Sequence, residues 1–229
     1  MSYFAITSNH PRHVKYLETL YDQVELSTVV IVDKGVLTEA EADYFKSDMT
    51  LLGRDNVIRC SKQQLHSDFM LQSLHKISAK VGFIFGAPLL KKELFEIPQY
   101  GCVNIHTGLV NHYRGVDSSL WAMYDNRPDL IGATLHYIDK SIDAGNIIDT
   151  GVIDIDESDN LESLFYKSCQ VGFNLLSDNI NDIVANKANK QVLKNRGKLY
   201  QHKDKNSDVV NRAKENLRKY KNENYFRSL

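Results

Sequence analysis

The chain has 229 residues, 42% of them hydrophobic and 25% charged, with a net charge of −1; this is the make-up of a globular protein with one sizeable core. No apolar run approaches the ~20 residues of a membrane-spanning helix. Met1-Ser2-Tyr3-Phe4 lacks the basic, apolar and small-residue order of a secretion signal, so a cytoplasmic protein is expected.

The first two thirds alternate short apolar strands with amphipathic helices, which predicts an α/β fold with helices on both faces of a parallel or mixed sheet. In chain order the pattern predicts a strand over Tyr3–Thr7 and a helix over Pro11–Tyr21, with the proline suited to a first turn. Strands follow at Ser27–Val32 and Val57–Cys60, a helix at Phe69–Ile77, and a buried strand at Val81–Phe85 that stops at Gly86. Cys102–Ile105 is the next strand. Ser118–Tyr124 reads as a short helix with a serine cap after Asp117. Strands at Thr134–Ile138 and Ile147–Ile153 flank a loop over Asp139–Gly145. A long helix is expected over Asn160–Val184, where Leu161, Leu164, Phe165, Cys169, Val171, Leu175 and Ile180 recur at helical spacing.

The polar stretch Asn186–Asn195 divides a main domain, 1–186, from an extension, 187–229, with a strand at Lys198–Gln201 and a charged helix at Val209–Tyr220. From Lys187 onward thirteen basic residues face four acidic ones. A solvated helical face or a docking extension explains that excess better than a nucleic-acid arm. Three cysteines, Cys60, Cys102 and Cys169, are an odd number without metal-ligand spacing and fit free thiols in a reducing compartment.

The first strand leads into Thr7-Ser8-Asn9-His10-Pro11, not the Gly-x-Gly-x-x-Gly of a dinucleotide site. Ser8, His10 and Arg12 could hold an anion at the helix start, or simply cap the helix. Further on, Asn104 and His106 sit two residues apart at the end of a strand and so face the same way. Asp143 opens Asp143-Ala144-Gly145 in a loop that could return to them. An amide, an imidazole and a carboxylate so placed can help an amine attack a carbonyl carbon: Asn steadies the oxyanion, His handles the proton, Asp orients His. A turn accounts for Asp143 and Gly145 equally well. A zinc set of His106, His112 and His136 is disfavoured, for the spacing has no paired ligands.

Three strings in order carry a resemblance. Asn104-Ile105-His106 running on to Tyr113-Arg114-Gly115, then Gly132-Ala133-Thr134-Leu135-His136 with Asp139, then Ile142-Asp143-Ala144-Gly145-Asn146 are similar to those of the folate-dependent formyltransferases, from about Val81 to Ile180. The resemblance implies a Rossmann-like three-layer core with a mostly parallel sheet and a short C-terminal extension. It also implies 10-formyltetrahydrofolate as formyl donor, with Asn104, His106 and Asp143 as the catalytic residues. Phe85, Gly86, Ala87, Pro88 and Leu89 would wall the folate, and Asp139 and Ile142 would lie in the loop that binds its pterin. Ser8, His10, Arg12, Tyr113 and Arg114 are the expected acceptor contacts, and His136 a core or supporting histidine.

Thr107-Gly108-Leu109-Val110 departs from the Ser-Leu-Leu-Pro of many members. Gly115-Val116-Asp117-Ser118-Ser119-Leu120-Trp121 and Ser8-Asn9-His10-Pro11 look like the sugar N-formyltransferases of surface-polysaccharide pathways. The chain is also short for the added barrel of the tRNA enzymes. The implied acceptor is an amino sugar, as a nucleotide-linked 3- or 4-amino deoxysugar for an O-antigen-type polysaccharide. Other small amines, or hydrolysis of the donor, are the alternatives. A homodimer, with no nucleic-acid, membrane or metal partner, completes the expectation.

Overall fold

A computed structural model describes residues 1–35 and 38–228. The elements are β1 (Tyr3–Ser8), α1 (Pro11–Tyr21), β2 (Leu26–Val32), α2 (Glu39–Phe45), β3 (Val57–Cys60), α3 (Asp68–Lys76), β4 (Val81–Phe85), α4 (Lys92–Phe95), β5 (Cys102–His106) and β6 (Tyr113–Gly115). They continue with α5 (Ser118–Tyr124), β7 (Gly132–Tyr137), β8 (Ile147–Val152), α6 (Leu161–Val184), β9 (Lys198–Tyr200) and α7 (Ser207–Ser228).

Seven strands form one sheet in the order β3-β2-β1-β4-β5-β7-β8. The first five are parallel; β7 and β8 are antiparallel to their neighbours. The alternating strand and helix pattern is therefore realised as a mixed, mostly parallel sheet. Strand order reverses between β1 and β4, the topological switch point beside which open α/β sheets form their crevice. β1, β4 and β5 all end at that edge.

Helices cover both faces. On one, Val14, Leu17 and Leu20 of α1 and Cys169, Phe173 and Leu176 of α6 pack on Ala5, Val29, Phe83, Val103 and Ile105. A Cβ on Gly172 would meet Ile105 Cγ2 at 2.3 Å, so glycine lets α6 press directly on β5. On the other, Met70 and Leu74 of α3 and Leu94 of α4 cover Phe4, Ile6, Ile84 and Cys102. Each such side chain contributes about 1.5–3 kcal/mol by leaving water. Strand alternation then decides the site: Val103 and Ile105 enter the α6 side, and Asn104 and His106 point the other way, beyond the last residue that α3 and α4 cover.

Predicted and observed boundaries agree within a residue or two for most elements, and the long helix α6 starts after Asn160, which caps it through a capping box. Three elements are additional to the sequence reading: α2, α4 and the three-residue β6. The start of α5 is a correction. Its cap residue is Asp117, in the left-handed region at φ 57° without a side-chain cap bond, whereas the Ser118 hydroxyl lies 3.1 Å from His106 Nε2. The serine is engaged by the histidine and is not available to the helix end.

The segment after residue 186 packs within the chain. Ile147 and Gln191 exchange backbone hydrogen bonds, and β9 pairs in parallel with β6. Val209, Ala213 and Leu217 of α7 are buried with Leu120, Trp121 and Tyr200 in a third cluster. Trp121 stacks on Tyr200 at 4.0 Å between ring centroids. Leu229 lies outside the described residues. No helix among the described residues is long and apolar enough to cross a membrane.

Candidate active site

Register brings the polar residues of β5 and β7 together. Asn104 pairs with His136 and His106 with Thr134, so Asn104, His106 and His136 share one face. The loop after β7 folds back across them. It can do so because Asp143 accepts a left-handed conformation at φ 46° and Gly145 has no Cβ, which would fall 1.9 Å from the Tyr137 carbonyl oxygen.

Asp143 Oδ2 then stands 3.4 Å from His106 Nδ1, and Asp143 Oδ1 stands 3.7 Å from His136 Nε2. The backbone N–H of Gly115 donates to Asp143 Oδ2 at 2.9 Å. His106 is 6% exposed. Its Nε2 is 2.9 Å from the Tyr113 carbonyl oxygen, which only accepts, so Nε2 carries a proton and Nδ1 is the nitrogen turned to Asp143. Asn104 Nδ2 donates to His136 Nε2 at 3.1 Å. His136 Nδ1 donates to the Tyr137 carbonyl at 2.8 Å, and burial, outweighing the pull of Asp143, lowers the His136 pKa from its usual 6.5. His136 is thus neutral, with its acceptor nitrogen on Asn104. The second N–H of Asn104 is left for a developing oxyanion.

The sequence trio Asn104, His106 and Asp143 is therefore brought into one half-buried cluster. The residues expected around the donor fall on the neighbouring strand end, where Ile84 pairs with Asn104 and Phe85 with Ile105, and in the loop after β7. Phe85 is buried at the end of β4, Gly86 turns at φ 62°, and Ala87 and Pro88 are half-buried. Leu89 is 69% and Ile142 37% exposed. Asp139 accepts from Ser141 N at 2.7 Å and shapes the loop.

Ser8, His10 and Arg12 lie at and just after the end of β1, at the same edge of the sheet. Ser8 is fully buried. Arg12 is ion-paired to Glu41, which also accepts from Arg12 N at 3.1 Å; His10 Nδ1 is 3.7 Å from the same carboxylate. The N-terminus of α1 thus already faces a carboxylate of α2. Beside it, His13 donates from Nδ1 to Thr7 Oγ1 at 2.8 Å; burial, with the nearby Arg12 and Lys34 charges, holds its pKa well below 6.5. The Tyr113 side chain is buried, with its hydroxyl on Asp125 at 3.1 Å. Arg114 donates to two backbone carbonyls, from Nε to Gly197 at 2.8 Å and from Nη1 to Ile142 at 3.0 Å.

Sequence reasoning placed His136 in support and omitted Ser118, Gly115 and Glu41. Ser118 carried a usable signal, since a serine just after an aspartate before a short helix invites inspection. Gly115 stood in the strings that carry the resemblance but acts through its backbone N–H, and Glu41 acts from another helix, where nothing in its local sequence marks it.

An amide and an imidazole–carboxylate pair at the edge of a doubly wound sheet define a site for nucleophilic attack on an acyl carbon. Residues 19–180 match the formyl transferase family model, and the chain belongs to that family. A methionyl-tRNA formyltransferase of Thermodesulfovibrio yellowstonii is 31% identical over 122 residues, which is 53% of this chain and 39% of that protein. The chain spans less than half the length of the curated relatives it matches. Among solved structures, a 4-N formyltransferase from Francisella tularensis superposes with TM-score 0.70 at 16% identity, over 94% of this chain and 87% of that one. An N-formyltransferase from Helicobacter canadensis, solved with folinic acid and dTDP-3-aminofucose, gives TM-score 0.64 at 18% identity, over 95% and 80% of the two chains. The fold is that of these formyltransferases.

Proposed function

We propose that the chain transfers a formyl group from 10-formyltetrahydrofolate to the primary amine of an amino sugar, as a nucleotide-linked 3- or 4-amino deoxysugar. The convergence of Asn104, His106 and Asp143 in a member of the formyl transferase family carries the reading. The sugar is supported by likeness in fold, over 95% of the chain, to the solved N-formyltransferase that holds dTDP-3-aminofucose.

The exposed apolar side chains of Leu89 and Ile142 suit the flat rings of a folate, and the backbone of Asp139–Asp143 offers polar groups to a pterin edge. The Asn104 amide donates to the formyl oxygen as the amine attacks and the C=O pair moves onto oxygen. His106 lies beside the reacting carbon, and with Asp143 it moves the proton released by the attacking nitrogen to the departing one. The C–N bond to the donor then breaks, leaving a formamide and tetrahydrofolate. The buried free thiols of Cys60, Cys102 and Cys169 support a reducing, cytoplasmic setting. A homodimer is carried by the resemblance alone, and sedimentation at two concentrations tests it.

A second acceptor has a specific observation in its favour: the sequence relatives are methionyl-tRNA formyltransferases. The deciding assay offers the donor with dTDP-, UDP- and GDP-linked amino sugars, nucleotide-free amino sugars, glycinamide ribonucleotide and methionyl-tRNA, and reads products by mass. One formyl group gained by a nucleotide sugar supports the reading. Formylation of another amine only moves the acceptor, and formate release without any formamide makes the protein a hydrolase.

A further inference from the structure

β6 supplies two main-chain groups to the reacting pair, one on each side of Arg114. The Tyr113 carbonyl holds His106 Nε2, and the Gly115 N–H holds Asp143 Oδ2. β6 is not part of the large sheet; its strand partner is β9, from the C-terminal extension. The two chains fit closely. Gly197 N donates to the Val110 carbonyl at 2.9 Å, Lys198 N to that of His112 at 3.0 Å, and Val116 N to that of Tyr200 at 3.1 Å. A Cβ on Gly115 would lie 2.1 Å from Tyr200 O, and one on Gly197 2.3 Å from the His112 carbonyl carbon.

Arg114 completes this arrangement. Its guanidinium bridges Gly197 O, immediately before β9, and Ile142 O, immediately before Asp143. Asp143 is held at φ 46°, a conformation a non-glycine residue keeps only when its surroundings hold it there. A planar fork can meet two carbonyls from two directions at once; a lysine ammonium on a flexible stem cannot do so in the same way.

We propose that Arg114 is a positioning residue, tying the Asp143 loop to residues 197–200 so that the C-terminal extension sets the approach of Asp143 to His106. The inference rests on the acyl-transfer reading of that pair. Two of the five N–H groups of Arg114 are thus committed to backbone carbonyls, and the proposal assigns it this positioning role rather than the acceptor contact expected from the sequence.

Full-length Arg114→Ala, Arg114→Lys, Gly197→Ala and the Arg114→Ala/Gly197→Ala double variant test it, each first checked for wild-type circular dichroism. Nitrogen resonances of the His106 ring give a readout independent of turnover. The wild type should show the proton fixed on Nε2, and Arg114→Ala and Gly197→Ala should both show an altered ring pattern. In the formyl-transfer assay, kcat should fall by about 100-fold, as a small misplacement of a reacting group costs, with KM for the amine unchanged. Guanidinium ion should partly restore Arg114→Ala, Arg114→Lys should remain impaired, and the double variant should be no worse than either single. A raised KM with intact kcat, multiplying effects in the double variant, or an unchanged His106 ring pattern would overturn the proposal. Should the wild type formylate no amine, the functional reading fails and the ring resonances alone decide the positioning role.

Discussion

Asn104 and His136 face each other across the β5–β7 pairing, with amide nitrogen and imidazole Nε2 3.1 Å apart. Since the other nitrogen of His136 is bonded to the Tyr137 carbonyl, only an acceptor is presented to Asn104. That contact fixes which end of the amide is N–H. His136→Leu should leave the amide free to flip and lower kcat by up to about 100-fold, the scale of losing one oxyanion donor. KM for either substrate should change little. Steady-state kinetics check this, and a wild-type kcat would remove His136 from the orienting role.

Gly108 marks the turn away from β5. A Cβ there would lie 2.4 Å from Ser118 Cβ and 2.7 Å from His106 Nε2. Gly108→Ala should displace His106 from Ser118 and the Tyr113 carbonyl, reducing kcat sharply and destabilising the fold by about 1–3 kcal/mol, as overpacking does. Urea unfolding alongside turnover separates the two effects, and unchanged values of both would show that the turn yields freely.

Two buried histidines link stability to acidity. Burial pushes His13 and His136 below their usual value, so the folded chain keeps them neutral where the unfolded chain, titrating near about 6.5, takes up protons. Stability is therefore intact above that pH and is lost as pH falls below it, until the folded values are reached. The slope from each group is at most about 1.4 kcal/mol per pH unit. Urea midpoints at about pH 7.5 and about 5.5 should differ less in His13→Asn than in the wild type; an equal difference would refute the role of His13.

From within α6, Lys167 Nζ reaches back to Asp159 Oδ2 at 2.6 Å and Asp156 Oδ2 at 2.7 Å, both ahead of the helix. The Asp159 side chain is only 2% exposed. Lys167→Met would strand a buried carboxylate and should cost roughly 3–5 kcal/mol. Adding Asp159→Asn should recover part of it. Denaturant titration of the single and double variants measures the loss and recovery; a neutral Lys167→Met would show that Ser163 and the Asp156 N–H satisfy the carboxylate unaided.

The sheet was legible because its strands are apolar runs bounded by turn residues, as at Leu26–Val32 and Val81–Phe85, and α6 because its apolar spacing persists for several turns. Asn104 and His106 were legible because they lie on alternate residues of such a strand, whereas Asp143, which a turn explains equally well, was reached only through the family resemblance of its string. β6 was not legible. Tyr113-Arg114-Gly115 is too short to show a period, and its partner arrives from Lys198–Tyr200. The same limit hid the bond of Tyr113 to Asp125 and those of Arg114 to two backbone carbonyls, since residue type alone suggests contacts with a ligand at both. Glu41 was equally hidden, for its partner Arg12 lies on another helix and no local spacing relates them.

β7 runs back beside β5, so the chain leaves the sheet after His106 and returns to it next to His106. Residues 107–131, with β6 and α5 on them, are therefore a loop-out whose two ends are pinned by the His106–Thr134 register. Insertions within that excursion would reshape what approaches the reacting pair without sliding Asn104 against His136. The register thus protects the presentation of Asn104, whereas the detour carries the backbone groups that hold His106 and Asp143, so a change there reaches selectivity and chemistry together.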